Sequence, residues 1–569
     1  MGLITDALQI GRSALLAYQS ALQVTGNNVS NSGSASYTRQ TPVLTPVGGL
    51  RLPEGFMPGG GVALTALRRN LDSALENRIR VAIGNQAGVA VEQQTLGRIE
   101  SIMNELSDAD LSTLLQKFFN AFSNLQNQPH EHAARTIALT AGESLVAEIR
   151  RQRSEVLALR DELNRDLVAA AEEANQLLRD IAALNVRITA LESSNRGGAN
   201  SLRDERDALL RELGELMQIE VREQPDGGVN VYVGNELIIQ GGYTRGITSS
   251  LETTSGQPRT VIRFADDQGE ITIRGGRIGG MIVSRDEHVL GQLQGLNDLA
   301  TTLIHEINKV HAQGHGLEGY TATTGFNDVL DPNAVLNSAQ AGLQLRPKNG
   351  SFQITVRDLS SGATSTYTIT VDLDGIGADD SLSSLVAQIN AKVGNVTATI
   401  TPDNRLSFTA QTGFEFTFGE DTSNVLAALG VNTLLVGSNA EDIAISSVLL
   451  NNPNLLAAGR NGAPGDGSNA AAIAELGSTP IATIGGRSLM EYYNGIANGL
   501  ANRASAAVTS VKATEAITMA LSAQRESISG VSLDEETIAL LSLERSFQAA
   551  ARYVSVVDQL IEEMLGLVR

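Results

Sequence analysis

The 569-residue chain contains no cysteine and no tryptophan. Without cysteine there are no disulfides, no thiolate metal ligands and no thiol nucleophiles. Proteins kept inside a cell usually retain a few thiols, so their complete absence favours an exported protein. Aromatic residues make up only 4 % of the chain, so its cores must be built from Leu, Ile, Val and Ala. Positive charge is scarce as well: 42 Lys and Arg face 63 Asp and Glu, a formal charge of −21. That balance argues against nucleic acid and anionic membrane as partners, since both attract basic surfaces. No apolar run approaches the roughly 18 residues of a membrane span. The amino-terminal stretch "MGLITDALQIGRSALLAYQSALQ" lacks a basic leader region and is interrupted by Asp6, Gln9 and Arg12. It does not read as a cleavable signal peptide, so export would have to leave it in place. What is present is ample for folding. Hydrophobic residues are 42 % of the sequence, and the length suits about three to four domains.

Both ends carry apolar residues at alternating spacings of four and three, the seam of a coiled coil. The first seam is Ile4, Leu8, Gly11, Leu15, Tyr18 and Leu22; the last is Leu540, Leu543, Phe547, Ala550, Val554, Val557, Ile561, Met564 and Val568. Ser532 followed by Glu535 predicts a capping box for the final helix, and Asp534, Glu535 and Glu536 put negative charge in its first turn, where the helix dipole favours it. Behind the first helix, "VTGNNVSNSGSASYTRQ" at Val24–Gln40 is rich in Asn, Ser and Gly, residues that accept turns at low steric cost. It is expected to be a loop that lets the terminal helix reorient. Apolar stripes at chain ends need docking to become ordered. The two termini are therefore expected to be loose in a solitary chain and to pair with each other and with neighbours in an assembly.

Between the ends lie a helical and a β regime. Residues 70–218 are helical in pattern, with a long seam at Leu163, Leu167, Ala170, Ala174, Leu177, Ile181, Leu184, Ile188 and Leu191, broken by "NRGGAN" at Asn195–Asn200. Helical patterning returns over Leu290–His311 and Leu489–Ser527. The segment "IEVREQPDGGVNVYVGNELIIQGG" alternates about a Pro-Asp-Gly-Gly turn, a hairpin signature. Strand signals crowd between 340 and 420: "LQLRPKNGSFQITVRD" with a turn at Asn349-Gly350, "TYTITVDLDG", "VTATITPDNRLSFTA" and "FEFTF", with a short helix at Ser381–Ala391. The expected fold class is α+β and multidomain, with terminal coiled-coil helices, a long helical-bundle rod carrying a β-hairpin region, and an inserted β-rich domain. The expected boundaries are 1–40 for the amino-terminal helix and linker, pairing with 530–569. The rod spans 41–330, with its hairpin subdomain at 219–283, and is completed by 445–529. The β insert spans 331–444.

Few residues suggest chemistry. His305, His311 and His315 lie close to Glu306, but a zinc protease helix needs its two histidines four residues apart on one face. His305 and His311 are six apart, about 600° around a helix, so they point to different sides. "RGGRIGG" at Arg274–Gly280 lacks the Gly-Lys-Ser/Thr ending of a phosphate loop and is expected to be a tight turn feeding a strand. No pair of carboxylates stands in a context for acid–base work. The chain reads as a non-enzyme with no cofactor and no metal.

Several stretches carry a resemblance. "GNNVSNSGSASYTRQ" resembles the segment behind the first helix of bacterial flagellar axial proteins, on Asn27, Asn28, Asn31, Tyr37, Arg39 and Gln40. "SGVSLDEETIALLSLERSFQAAARYVSVVDQLIEEML" looks like the carboxyl end of the same proteins, on Leu533, Asp534, Glu535, Gln548 and Arg552. "LRDERDALLREL", "GGRIGGMIVSRDEHV", "INKVHAQGHGLEG" and "GSNAEDIAIS" are similar to internal segments, in order along the chain. Ser34-Ala35-Ser36 stands where the family has Thr-Pro-Gly, and Ala550 where Asn is frequent. Within the axial proteins the likeness is to the hook-associated proteins that join hook to filament. The resemblance implies a structural protein of the flagellum, self-assembling through terminal coiled coils and located outside the cell after type III export without cleavage. It also implies other copies of the chain, the hook protein and the second junction protein as neighbours, and an export chaperone for the last helix. Another axial protein, or a secreted adhesin or enzyme with flagellar-like ends, are the alternatives.

Overall fold

The computed structural model describes residues 2–34, 36–48, 59–104, 110–193, 197–254 and 257–567. Met1, Ala35, Asn195, Arg196 and Val568 of the stretches above lie outside the described residues, as does the side chain of Ile4. The helices are α1 (Gly2–Ser30), α2 (Ser73–Met103), α3 (Leu111–Asn127), α4 (His132–Glu192), α5 (Asn200–Leu216), α6 (Gly276–Val283) and α7 (Leu290–His311). They continue with α8 (Leu382–Lys392), α9 (Val425–Ala428), α10 (Ser447–Asn451), α11 (Ser468–Glu475), α12 (Leu489–Ser529) and α13 (Leu533–Leu567). The strands are β1 (Gln40–Pro46), β2 (Val62–Arg69), β3 (Ile219–Glu223), β4 (Val229–Val233), β5 (Glu236–Gln240), β6 (Tyr243–Thr244), β7 (Ile247–Thr254) and β8 (Gln257–Phe264). The remaining strands are β9 (Ala322–Thr324), β10 (Gly350–Asp358), β11 (Thr364–Val371), β12 (Val396–Ile400), β13 (Leu406–Ala410), β14 (Phe414–Gly419), β15 (Leu435–Val436) and β16 (Ala444–Ile445). The fold class is α+β, in two compact units.

The first unit comprises Met1–Gln94, Glu162–Arg285 and Ser505–Arg569. Here α1 runs along α13, and the antiparallel ribbon β1–β2 lies beside α1. Leu75, Ile79 and Ala82 of α2 enclose Leu521 of α12. The far half of α4 packs Leu184 and Ile188 on Ala199, with Leu202 and Leu209 of α5 alongside. The Pro-Asp-Gly-Gly hairpin forms as read: Ile219 pairs with Val233 and Glu223 with Val229, and Val229, Val231 and Val233 face the core. Strands β3-β4-β5-β6 make one antiparallel sheet, and β7–β8 a separate ribbon.

The second unit comprises Thr95–Asp161 and Asp286–Ala504. Asp110 caps α3 by accepting the Thr113 N–H, and Phe118, Phe119 and Phe122 of that helix pack edge to face or tilted. Helix α11 lies on α3, close enough that a Cβ on Gly477 would strike the Phe119 ring. The β-rich part has two three-stranded sheets, ordered β11-β10-β14 and β12-β13-β9. Tyr320, Phe408, Phe416 and Phe418 form its buried aromatic cluster. Ser381 and Ser384 cap α8 reciprocally.

Four local expectations change. Val24–Ser30 is helical, because Val24, Thr25 and Asn28 are buried on one face of α1, and burial overrides the weak helix propensity of Asn and Gly. "RGGRIGG" opens helix α6 and not a strand. Gly275 and Gly276 take φ of 58° and 66°, and a Cβ on Gly280 would meet the backbone of Gly88 in α2. The glycines are there for a close helix crossing. Residues 342–349 form no strand before Asn349-Gly350; Pro347 has no N–H to give a ladder. In α4 the seam fails at Leu177, where Leu178 is buried instead, and at Leu191, which is exposed. A straight helix drifts from a seven-residue repeat by about 20° per heptad, so a fixed heptad cannot follow its buried face.

Candidate functional site at the joined chain ends

The seam of α13, expected to stay bare until neighbours cover it, is half-buried against α1 of the same chain. Leu540, Leu543, Phe547, Val554 and Ile561 are half-buried, and Ala550 and Val557 are buried. Opposite them Leu8, Leu15, Tyr18 and Leu22 are half-buried, and Gly11 is buried. Gly11 sits where the helices come closest: an added Cβ would overlap the Val554 side chain and press on the Tyr553 ring. Met564 is half exposed and falls away from the seam. With Tyr553, Val556 and Leu560 it forms a second, half-exposed apolar stripe, at spacings of three and four, along the flank of the seam.

Where α1 ends, the chain folds back over the start of α13. Asn28 is the hub, 1 % exposed. Its Oδ1 accepts the Tyr37 hydroxyl at 2.7 Å and the Gln40 N–H at 3.1 Å. Its Nδ2 donates to the Gln40 carbonyl and to Glu536 Oε2, both at 2.9 Å. All four hydrogen-bonding positions of that amide are therefore filled, as a buried polar group requires. Glu536 takes a second bond from Arg39 Nε at 2.7 Å, while Arg39 also reaches the exposed Glu535 at 2.6 Å. The Arg39 N–H donates to the Ser529 carbonyl at the end of α12. Ser532 caps α13 through the Glu535 N–H at 3.4 Å, but the Glu535 carboxylate bonds Arg39, so the reciprocal half of the expected capping box is spent on the clasp.

A second layer holds the clasp from behind. Gln40 accepts from Asn200 of α5, and Arg69 of β2 bridges Asp204 and Asp207 of α5 at 2.8 and 2.7 Å. Arg525 of α12 pairs with the buried Glu76 of α2 at 2.6 Å. Burial pushes the Tyr37 hydroxyl up to about 12, with the Asp204 and Glu536 carboxylates adding to the rise, so it stays a donor. Burial also raises Asp204, although Arg69 opposes it.

Of the resemblance residues, the structure brings Asn28, Tyr37, Arg39, Gln40 and Glu535 into one network, with Asn27 at its edge 3.4 Å from the Tyr37 hydroxyl. Asn31 folds back on Asn27. Leu533, Asp534, Gln548 and Arg552 are exposed on α13 and are not brought into it. Glu536, the acid at the centre, is absent from the expected set.

Residues 96–326 match the family model of the flagellar hook-associated protein FlgK helical domain. The flagellar hook-associated protein 1 of Escherichia coli (strain K12) is 25 % identical over 566 residues, 98 % of each chain. That of Bacillus subtilis (strain 168) is 25 % identical over 572 residues, 98 % of this chain and 97 % of its own. Over nearly its whole length the chain is thus similar to flagellar hook-associated protein 1, and it fits a structural role in the flagellar axis.

Two shorter matches agree with that likeness. Residues 511–567 match the carboxyl-terminal model of flagellar basal body rod FlgEFG proteins, which takes in Arg525, Glu536 and the α13 seam from Leu540 to Met564. Residues 358–412 match the flagellin hook IN motif, within the β-rich part. The flagellar hook junction protein FlgK from Burkholderia pseudomallei has a similar fold, with a TM-score of 0.53 at 14 % identity, over 80 % of this chain and all of that one. Among the described residues no helix of the chain is long and apolar enough to cross a membrane.

The three clustered histidines make no common site, and each is held by its own surroundings. His311 is fully buried; its Nε2 accepts the Ala457 N–H at 3.0 Å, so the proton sits on Nδ1 and is donated to the Asn432 carbonyl at 2.8 Å. Burial pushes it down to about 4, so it is neutral. His315 accepts the Gly462 N–H on Nε2 at 2.6 Å, and burial lowers His305.

Proposed function

We propose that this protein forms the junction between hook and filament, assembling with copies of itself through its paired terminal helices. One observation carries the reading. The seam of α13 is already occupied by α1, yet Tyr553, Val556, Leu560 and Met564 remain as a half-exposed apolar stripe along its flank. Paired helices with an uncovered stripe need a second surface of the same kind, and an identical neighbour supplies it. Head-to-tail contacts of this sort build an open helical array. The interface thus moves from the heptad seam to the apolar flank of the pair. The hook protein and the second junction protein are the axial neighbours, and a dedicated chaperone covers α13 before type III export to the cell exterior. The protein works by shape and adhesion and has no catalytic role.

The double variant Val556→Asp, Leu560→Asp tests this. It is expected to keep the fold of the wild type while staying monomeric at concentrations where the wild type associates. Unchanged association would remove the stripe from the interface. In cells, loss of the gene is expected to leave hooks without filaments and flagellin in the medium. Cells lacking hooks instead would favour another axial component.

A further inference from the structure

The loop at 459–467, in the second unit, holds an arrangement that the axial role does not use. Asp466 organises it: one carboxylate oxygen accepts the backbone N–H groups of Arg460 and Asn461 at 2.7 and 2.8 Å, and the other accepts that of Ser468 at 2.9 Å. His315, just beyond α7, pairs its backbone with Gly459 in an antiparallel bridge. Its ring then meets the loop again, with Nε2 2.6 Å from the Gly462 backbone nitrogen and Nδ1 3.3 Å from the Gly316 carbonyl. Because the Gly462 N–H is a donor, Nε2 carries a lone pair and Nδ1 the proton, given to Gly316. Asn461 is exposed, and its side-chain amide has no hydrogen-bond partner among the described residues. Gly462 takes φ of 76° and has no side chain to crowd the preceding one.

We propose that Asn461-Gly462 is a self-modification site at which His315 is the general base. A base acts on a proton within hydrogen-bond reach, and the proton in reach here is the one that must leave for an asparagine to cyclise. His315 Nε2 takes the Gly462 N–H proton, and the freed electron pair on that nitrogen attacks Cγ of Asn461. The bond from Cγ to the side-chain nitrogen breaks, and ammonia leaves with the proton that His315 returns. The product is a five-membered succinimide. Water then opens it, at the side-chain carbonyl to give aspartate or at the backbone carbonyl to give isoaspartate. Nothing is oxidised or reduced, and water is the sole co-reactant. The outcome is a new negative charge beside Asp466 and, in the isoaspartate form, a backbone lengthened by one carbon.

The sequence has four Asn-Gly pairs, and the other three are internal controls. Asn494-Gly495 and Asn498-Gly499 lie in α12, and Asn349-Gly350 at the entry to β10. The full-length protein is held at neutral pH and body temperature, and the amide-to-acid mass gain at each pair is followed by peptide mass spectrometry. Hydroxylamine cleavage after Asn461 reports the succinimide. Conversion is expected at Asn461 ahead of the other three, and faster in the folded chain than in urea. His315→Gln keeps an acceptor for the Gly462 N–H but cannot take its proton, and is expected to slow conversion by about a hundredfold, the lower end of general-base contributions. An unchanged or increased rate in His315→Gln would show that the hydrogen bond merely pins the loop and would overturn the proposal. So would faster conversion of the wild type in urea, a measurement that does not depend on the variant folding.

Discussion

Glu535 and Glu536 are neighbours of the same type in the first turn of one helix, and both receive Arg39, yet truncating them is expected to have very different consequences. The Glu535 side chain is 61 % exposed and that of Glu536 is 3 % exposed. Glu535→Ala removes one solvent-screened ion pair, worth under about 1 kcal/mol. Glu536→Ala removes the partner of Arg39 Nε and leaves Nδ2 of the buried Asn28 with one of its two acceptors gone. A bond to a charged group contributes about 1.5–3 kcal/mol, and a buried donor left unsatisfied costs about 1–3 kcal/mol. Arg39 is a quarter exposed, so its share is the smaller, and the total comes to about 2–4 kcal/mol. Hydrogen exchange resolves the effect by segment. In Glu536→Ala, amides of 37–46 and of the first turn of α13 are expected to lose roughly 30- to 700-fold in protection, at about 1.4 kcal/mol per tenfold. In Glu535→Ala they are expected to lose under about fivefold. Equal losses in the two variants, or the larger loss in Glu535→Ala, would refute the account of the clasp.

Two further outcomes follow from packing and titration. Gly11→Ala is expected to push α1 off α13 and destabilise the terminal pair by about 1–3 kcal/mol, the usual cost of overpacking. Val554→Ala in the same chain is expected to restore most of the loss, which a double-mutant cycle read by chemical denaturation checks. His311 titrates at its ordinary 6.5 when unfolded and is pushed down to about 4 when buried. The unfolded chain therefore binds a proton first as pH falls, so the stability held above pH 6.5 drains as pH approaches 4, by about 3 kcal/mol in all. His311→Gln is expected to flatten that part of the stability–pH curve; an identical slope would mean that carboxylates alone set it.

Much of the fold was legible because its signals are local. Leu290–His311 is helical and ends as its period indicates, although the helical backbone reaches it unbroken through Ser284–Val289, and the Pro-Asp-Gly-Gly turn places its hairpin. The errors share a cause: composition cannot say what lies across the way. Asn-rich Val24–Ser30 is helical since α13 and β1 bury it, and the glycines of Gly275–Gly280 make room for α2. The site was half visible. Asn28, Tyr37, Arg39 and Gln40 stand out by resemblance, whereas Glu536 reads only as one of three acids favouring a helix start. A signal did exist. Glu536 lies four residues before Leu540, in register with the apolar seam, and a charge at a seam position asks for a buried partner. Supplying that partner's name required knowing that residue 39 returns there.

Asn28 and Glu536 stand 508 positions apart. The first unit takes its parts from the opening, the middle and the closing stretches of the chain. As the polypeptide is made, Asn28 and Glu76 must wait for Glu536 and Arg525, the last of their partners to be synthesised. A product cut short before Glu536 therefore has no finished first unit to present, even where the second, which ends at Ala504, has all its parts.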